Sequence, residues 1–570
     1  MKCIQVLHVC LMYSCSFLSM AQTTNVLLSG RDDTQNVSRF TVKGDQIKMQ
    51  QDGTFEHRLF LDTPSFVNLE TNGQNFELFL HPGDRLHIVF NGEGVQFQGE
   101  GAAINTFLIH HRKQAKDNSN YLDTYNAAVF TKTPAAFKTT IDSLENLETA
   151  LFQEFFGNGA SVNEHFLHRI KTDIVFRNRR YHLLYPQNYH RHHNYKEVVS
   201  LPPTYFEALM EGSFDDPLFI RSSNYKRCVN FYLDLLATGA YKMRHPYHAP
   251  VKRISSRYEA IINLNAEEAI QDALIKEHFN QHVWTYRVEA LANSYKMARV
   301  DVKDTTTLKE IEGLMDIGHN RRSDADTLML YSTTPEAKLY AHVFTPSNDS
   351  ATTSRPAHLF FHGGGWAMGM PEWSYSACKG AEEEGRVGIA FDYRLRNSHG
   401  ATIRDAVVDA LMAVAWVREN AEQLGIDPNK ILVEGFSAGG HLALATAMID
   451  KTNFGMPDQY SSRPDAIILG STPYDVTHRE VYDIDYDAKK ISPLFLVREG
   501  LPPILAFHGE RDTMVKFTEF EAFWNKMEQT SNVFDYRSFP NSGHFYNGGA
   551  PGDSAVREKM RNDFLLKNGF

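Results

Sequence analysis

The five residues Gly435-Phe436-Ser437-Ala438-Gly439 constrain what this chain can fold into more than any other stretch. They follow the apolar run Lys430-Ile431-Leu432-Val433-Glu434 and lead into a helical pattern that starts at Ala438. A strand that turns sharply into a helix leaves no room for side chains beside the residue at its apex, and flanking glycines supply that room. The apex here is a serine. The turn lifts its Oγ off the sheet, so the geometry that demands glycine also presents a nucleophile. The pattern alone is weak, because five-residue matches arise by chance. Its meaning comes from what stands before and after it.

Upstream, His362-Gly363-Gly364-Gly365 follows the apolar stretch Leu359-Phe360-Phe361. Acyl transfer builds negative charge on a carbonyl oxygen, and backbone N–H groups must already face that point. Glycines let a chain approach it closely. Gly364, Gly365 and Ala438 are the expected donors, with His362 supporting the loop through hydrogen bonds. Downstream, Asp512 lies in His508-Gly509-Glu510-Arg511-Asp512, just after the apolar run Ile504-Leu505-Ala506-Phe507. Loops at the C-terminal ends of parallel strands are where sheet-based sites gather their residues. Asp512 is the expected orienting acid, with Glu510 as its rival. His544, in Asn541-Ser542-Gly543-His544-Phe545, is the expected general base, with His508 as the alternative. The chain order Ser, Asp, His is one in which such groups occur on a mostly parallel sheet.

Composition narrows the remaining functions. The 570 residues carry a formal net charge of -11, which offers no electrostatic footprint for nucleic acid. Residues 1–21 read as a secretory signal: Lys2, an apolar stretch from Cys3 to Met20, and Ser19-Met20-Ala21 as a cleavage site, with the mature chain starting near Gln22. Lipidation at Cys15 is disfavoured by Tyr13, where a lipobox wants a small residue. No later stretch reads as transmembrane. Of five cysteines, Cys3, Cys10 and Cys15 fall in the signal, leaving Cys228 and Cys378 too far apart in sequence for a disulfide framework or metal cluster. The expected location is therefore exported, either periplasmic or at the extracellular surface. His190-Arg191-His192-His193 raises metal binding, but adjacent histidines do not share one helix face, so a solvated loop is expected there.

Three segments follow the signal. Residues 23–100 alternate apolar and polar side chains in short runs such as Thr54–Leu61 and Phe76–Leu80, which predicts a small β-sandwich. Residues 101–315 show helical periodicity and predict a helical domain. A linker around 318–326 leads to residues 325–570, where short apolar runs alternate with longer amphipathic ones. That rhythm predicts a mostly parallel sheet flanked by helices.

The C-terminal motifs resemble the α/β-hydrolase superfamily, specifically its hormone-sensitive-lipase-like branch and the carbohydrate esterases within it. The matching residues are His362-Gly-Gly-Gly-Trp366-x-x-Gly369, Asp392-Tyr393-Arg394-Leu395, Asp409-Ala410, Trp416-Val417, Gly425-Ile426-Asp427-Pro428, Gly435 to Ala443, and Gly509-x-x-Asp512. The resemblance implies nucleophile, acid and base at Ser437, Asp512 and His544, and no metal or organic cofactor. The family often has asparagine where this chain has Asp392, which predicts an altered hydrogen bond behind the glycine loop. Residues 80–86 and 97–108 resemble the β domain that precedes thioredoxin-like domains in exported Bacteroidetes proteins. No Cys-x-x-Cys follows here.

These readings lead to a secreted serine ester hydrolase whose substrate is an acetyl or feruloyl ester on polysaccharide. Trp366, Trp373 and Tyr375 are candidates to stack on a sugar or aromatic acyl group, or else to pack the loop. The alternatives are a prolyl-type peptidase, for which no upstream propeller repeat is found, and a non-catalytic glycan-binding protein. Positioning the enzyme, binding glycan, shaping the pocket rim and homodimer formation all remain open as roles for the first 310 residues.

Overall fold

The structure is a computed structural model. It describes residues 24–570 apart from 35–38, 72–73, 92–93, 125, 158–161, 194–196, 198, 203, 239–252, 321–323, 348–353, 458 and 480–486. The signal-peptide reading and Cys3, Cys10 and Cys15 therefore lie outside the described residues. The chain forms two compact units: residues up to Glu211 with Arg221–Cys228, and Gly212–Ile220 with Val229–Phe570.

The first unit opens with a sandwich of eight strands: β1 (Thr24–Asp32), β2 (Arg39–Val42), β3 (Asp45–Lys48), β4 (Thr54–Leu61), β5 (Ser65–Thr71), β6 (Gln74–Leu80), β7 (Arg85–Asn91) and β8 (Gly94–Gly99). They pair as two four-stranded sheets, in the orders β4-β1-β7-β8 and β3-β2-β5-β6. The inward positions Val26, Leu28, Phe40, Val42, Leu69 and Ile88 are buried in one core, as period-two alternation requires. Helices Ala102–Tyr121, Pro134–Phe156 and Glu164–His192 follow. The last contradicts the loop expected at 190–193. His190 and His192 are in its final turn, and each bonds a backbone carbonyl, of Glu197 and Thr124, at 2.7 Å. Among the described residues no metal-ligating cluster is found.

The helical stretch expected as one domain over 101–315 belongs to both units. Helices Arg253–Ile262, Glu268–Val283, Ala292–Asp301 and Thr305–Asn320 sit in the second, and the last of these occupies the start of the expected linker. The second unit's sheet has eight strands: β9 (Thr327–Thr333), β10 (Lys338–Phe344), β11 (Arg355–Phe361), β12 (Val387–Phe391), β13 (Ile426–Phe436), β14 (Ala466–Gly470), β15 (Ile504–Gly509) and β16 (Phe534–Phe539). Their order is β16-β15-β14-β13-β11-β12-β10-β9, parallel from β12 through β16 and antiparallel at the β9 and β10 edge.

Register places the site. Phe361 pairs with Gly435, Phe436 with Gly470, and Gly470 with Phe507, so β11, β13, β14 and β15 end side by side. Every loop that leaves those ends starts at the same rim. The helix Ala438–Met448 is buried along its whole length, which explains a sequence of small and apolar residues broken only by His441 and Thr446. Arg394 grips the fully buried Asp409 carboxylate through Nε and Nη2, at 3.0 and 2.8 Å, tying the segment after β12 to the helix Ile403–Glu419. Among the described residues no helix is long and apolar enough to cross a membrane.

Candidate active site

Ser437 sits between β13 and the helix Ala438–Met448 with φ 54° and ψ -123°. Non-glycine residues in such backbone regions carry strain of about 1–3 kcal/mol and persist where surroundings over-determine them. The surroundings do so here. Ser437 N–H donates to Gly470 O at 2.8 Å, continuing the sheet register into the turn. A Cβ placed on Gly439 would lie 1.9 Å from Phe361 O, so the turn closes only with glycine there.

The three residues expected to act together do meet. Ser437 Oγ donates to His544 Nε2 at 3.0 Å, and His544 Nδ1–H donates to Asp512 Oδ2 at 2.7 Å. Asp512 Oδ1 accepts from the N–H groups of Met514 and Val515 at 2.8 and 2.9 Å. Burial pushes the Asp512 carboxyl up. The bonds from His544 and from those two backbone N–H groups outweigh burial and hold it below the ordinary carboxylate range. Asp512 is therefore ionised at neutral pH and fixes the imidazole with its proton on Nδ1. Ser471 Oγ donates to His544 O at 2.8 Å and holds the histidine's backbone.

The rivals are placed elsewhere. Glu510 accepts from Ser538 Oγ at 2.7 Å in an exposed bond. His508 is fully buried, its Nε2 3.0 Å from Val515 O and 3.6 Å from Asp512. It buttresses the acid, and burial depresses its pKa.

The glycine loop turns beside the serine. Gly364 has φ 110°, and a Cβ there would meet Met368 O at 2.1 Å. Gly364 O accepts from Ala367 and Met368 N–H at 3.1 Å, closing the turn on itself. Among the described residues, no acceptor is bonded to the N–H groups of Gly364, Gly365 or Ala438. Gly364 and Gly365 line the same cavity as Ser437, and Ala438 follows the serine in the chain. His362 acts as loop support. Its Nδ1 bonds Gly363 O at 2.7 Å, and its ring stacks on Tyr393 at 4.3 Å, while Tyr393 Oη donates to His362 O at 2.8 Å. Burial lowers its pKa to about 4, so it stays neutral.

The aromatic candidates divide. Trp366 and Trp373 line the cavity over Ser437. Trp366 is buried with its ring edge-on to His441 at 5.2 Å, and Trp373 is half exposed. Tyr375 is a correction. It is buried under the loop against Phe344, and its Oη bonds His342 Nδ1 at 2.6 Å, so it packs the core and does not reach substrate. Helical phase explains the difference, because Tyr375 begins the helix Tyr375–Glu383 with its side chain toward the sheet.

Asp392 is not left with an unfilled bond. Its carboxylate accepts from Tyr340 N–H at 3.0 Å and pairs with Arg287. Nothing in the sequence pattern singles out Arg287, which precedes its partner by more than a hundred residues.

A family model described as alpha/beta hydrolase fold matches residues 358–547. Esterase LipC of Mycobacterium tuberculosis is 30% identical over 220 residues, covering 34% of this chain and 54% of that protein. The isoprenylcysteine alpha-carbonyl methylesterase of Arabidopsis thaliana is 26% identical over 227 residues, covering 35% and 52%. A thermophilic esterase from Thermogutta terrifontis, solved with propionate bound, is 31% identical and aligns over 44% of this chain and 96% of its own, with a TM-score of 0.40. The chain spans about half the length of the curated relatives it matches. Residues 358–547 thus form an α/β-hydrolase domain of the hormone-sensitive-lipase-like type.

Proposed function

We propose that this protein is an exported serine carboxylic-ester hydrolase that removes acetyl or feruloyl groups from polysaccharide. The observation that carries ester hydrolysis is the unbroken chain from Ser437 Oγ through His544 to an ionised Asp512, beside three open N–H donors. His544 Nε2 takes the serine proton as Oγ attacks the ester carbonyl. The oxyanion is held by Gly364, Gly365 and Ala438 N–H. The C–O bond then breaks, and the alcohol leaves with the proton from His544. Water, deprotonated by His544, attacks the acyl-enzyme, and the acid departs as Ser437 recovers its proton.

The substrate reading rests on the cavity and on the resemblance to carbohydrate esterases. The cavity holds about 1070 Å³ and opens among exposed Met368, Trp373, Met514 and Phe545, which suits a bulky, ring-bearing alcohol or acyl group. Trp366 lines the cavity, and its Nε1 is buried without a partner among the described residues. Arg557, Arg561, Glu434 and Glu558 also line the cavity, so a long acyl chain finds no continuous apolar wall. The reading of export is supported by the signal-like pattern of residues 1–21 and by the resemblance of residues 80–86 and 97–108 to exported modules.

The test compares the mature chain with Ser437→Ala on p-nitrophenyl acetate, methyl ferulate, acetylated xylan and a prolyl-peptide anilide. Ester cleavage is expected to fall by about 10⁴-fold or more in the variant. The acetyl-to-feruloyl ratio chooses the acyl group. Anilide cleavage alone would replace this reading with a peptidase, and silence on all four with a binding protein.

A further inference from the structure

We infer that residues 284–287 form a strap that sets the oxyanion loop, and that Arg287 and Tyr286 are positioning residues for the reaction at Ser437. The inference rests on the ester-hydrolase reading for its substrate, but the contacts stand independently of it.

Four consecutive residues, joining the helix Glu268–Val283 to the turn Val288–Leu291, reach the glycine loop and the segment behind it. Trp284 O accepts from Trp373 Nε1 at 3.3 Å. Thr285 O accepts from Gly369 N–H at 3.0 Å. Tyr286 Oη accepts from Asn397 Nδ2 at 2.9 Å, in a buried bond. Arg287 pairs with Asp392 while its guanidinium lies over the Tyr340 ring at 5.4 Å. The side chains of Arg287 and Asp392 are 16% and 5% exposed, so the pair is largely removed from water.

These bonds meet the loop from behind. Gly369 ends it at φ 118°, and a Cβ there would strike His362 Nδ1 at 2.4 Å, so moving Gly369 moves His362. Asn397 faces both ways: its N–H donates to Ala367 O at 3.2 Å, and its side-chain amide holds Tyr286. Arg396 N–H donates to Trp366 O at 3.0 Å. Asp392 and Tyr393 are adjacent; one is clamped by Arg287, and the other bonds His362 O at 2.8 Å. The strap, the 392–397 segment and the oxyanion loop are thus one connected network. None of its members from the strap touches the nucleophile.

The charges make the arrangement testable. Removing one partner of a largely buried ion pair leaves the other uncompensated, whereas removing both leaves a neutral site. His342 faces Asp392 at 3.8 Å, and burial together with the Arg287 charge lowers its pKa to about 3, so it is neutral beside the intact pair. Glu289, two residues beyond the strap, lies 3.5 Å from Arg287 and is its second acidic neighbour. Asp392→Asn keeps a side-chain carbonyl oxygen, so the acceptor for Tyr340 N–H survives in the double variant.

The experiment compares wild type, Arg287→Met, Asp392→Asn, Tyr286→Phe and the Arg287→Met/Asp392→Asn double variant. Two readouts are taken: kcat on p-nitrophenyl acetate per titrated active site, and the rate of Ser437 phosphonylation by a fluorophosphonate, whose phosphoryl oxygen also needs the oxyanion donors. Arg287→Met is expected to lower both by about 10- to 100-fold, with KM changed less than about threefold. Tyr286→Phe is expected to lower both by less, and the double variant to recover most of the loss. A purely structural role would reduce the number of titratable sites but leave both rates per site intact, and that result overturns the inference. Should wild type hydrolyse no ester, the ester reading fails, and the phosphonylation series alone still decides the strap.

Discussion

Two glycine turns flank the same cavity, and they differ in what holds them. The nucleophile elbow is fixed by its immediate neighbours: Ser437 N–H continues the β13–β14 register to Gly470 O, and Gly439 packs on the end of β11. The oxyanion loop closes internally through Gly364 O, but its far end is tied to Thr285, Arg396 and Asn397. The elbow is therefore a consequence of the sheet. The loop depends on chain segments that the sheet does not include. In a site of this kind the serine's geometry is hard to perturb from a distance and the glycine loop is easier to tune.

The hardest break in that comparison is a methyl group at each turn. Gly439→Ala forces Cβ onto Phe361 O and is expected to abolish folding of the second unit or to destabilise it by more than about 4 kcal/mol. Gly364→Ala clashes only with a loop carbonyl. It is expected to lower kcat by about 10²–10³-fold with a much smaller stability loss. Urea unfolding beside kcat separates the two. Equal stability losses would show that the loop is as rigidly embedded as the elbow.

The next effect removes the chemistry and keeps the geometry. Asp512→Asn is expected to lower kcat by about 10⁴-fold with near-normal unfolding, because the imidazole loses the acceptor that selects its tautomer. Glu510→Gln, on the exposed partner of Ser538, is expected to change kcat less than about twofold. A large loss from the glutamate with none from the aspartate would reverse the assignment.

Acid distinguishes the two turns least. His362 under the loop and His441 under the elbow both have pKa values lowered to about 4 by burial, as does His358. Between about pH 6.5 and 4 the unfolded chain binds protons that the folded chain refuses, so stability rises with pH across that window and falls on acidification. Below it, the depressed Asp512 carboxyl acts in the same direction, its contribution being lost as pH falls through its folded pKa. Melting temperature is expected to be flat above about pH 7 and to decline steadily from pH 6.5 to 4. A Tm constant to pH 4 would contradict neutral buried histidines.

Much of the second unit is legible in one dimension because parallel strands buried on both faces leave continuous apolar runs, as at Leu359–Phe361 and Ile504–Phe507. Glycine marks the turns for a steric reason that any sequence displays. Weaker signals hide other elements. Strand β1, Thr24–Asp32, mixes serine, glycine and arginine with its apolar residues, and the final helix Asp553–Lys567 is mostly exposed and polar. At the end of the helix Glu164–His192, His192 bonds the distant Thr124 O, which no local pattern announces, while His190 bonds Glu197 O and His193 bonds Tyr189 O one turn back.

The sequence alone placed the glycines at 364 and 439 and the alternation that builds the sheet, the first by local sterics and the second by period, and it offered Ser437, Asp512 and His544 in their chain order as candidates with Glu510 and His508 as rivals. The tertiary structure alone decided that Tyr375 faces the core, that His508 serves the acid instead of the nucleophile, and that Asp392 is matched by Arg287. Those outcomes depend on which side chains meet after folding, and a buried charge or phenol takes whatever partner the packing supplies.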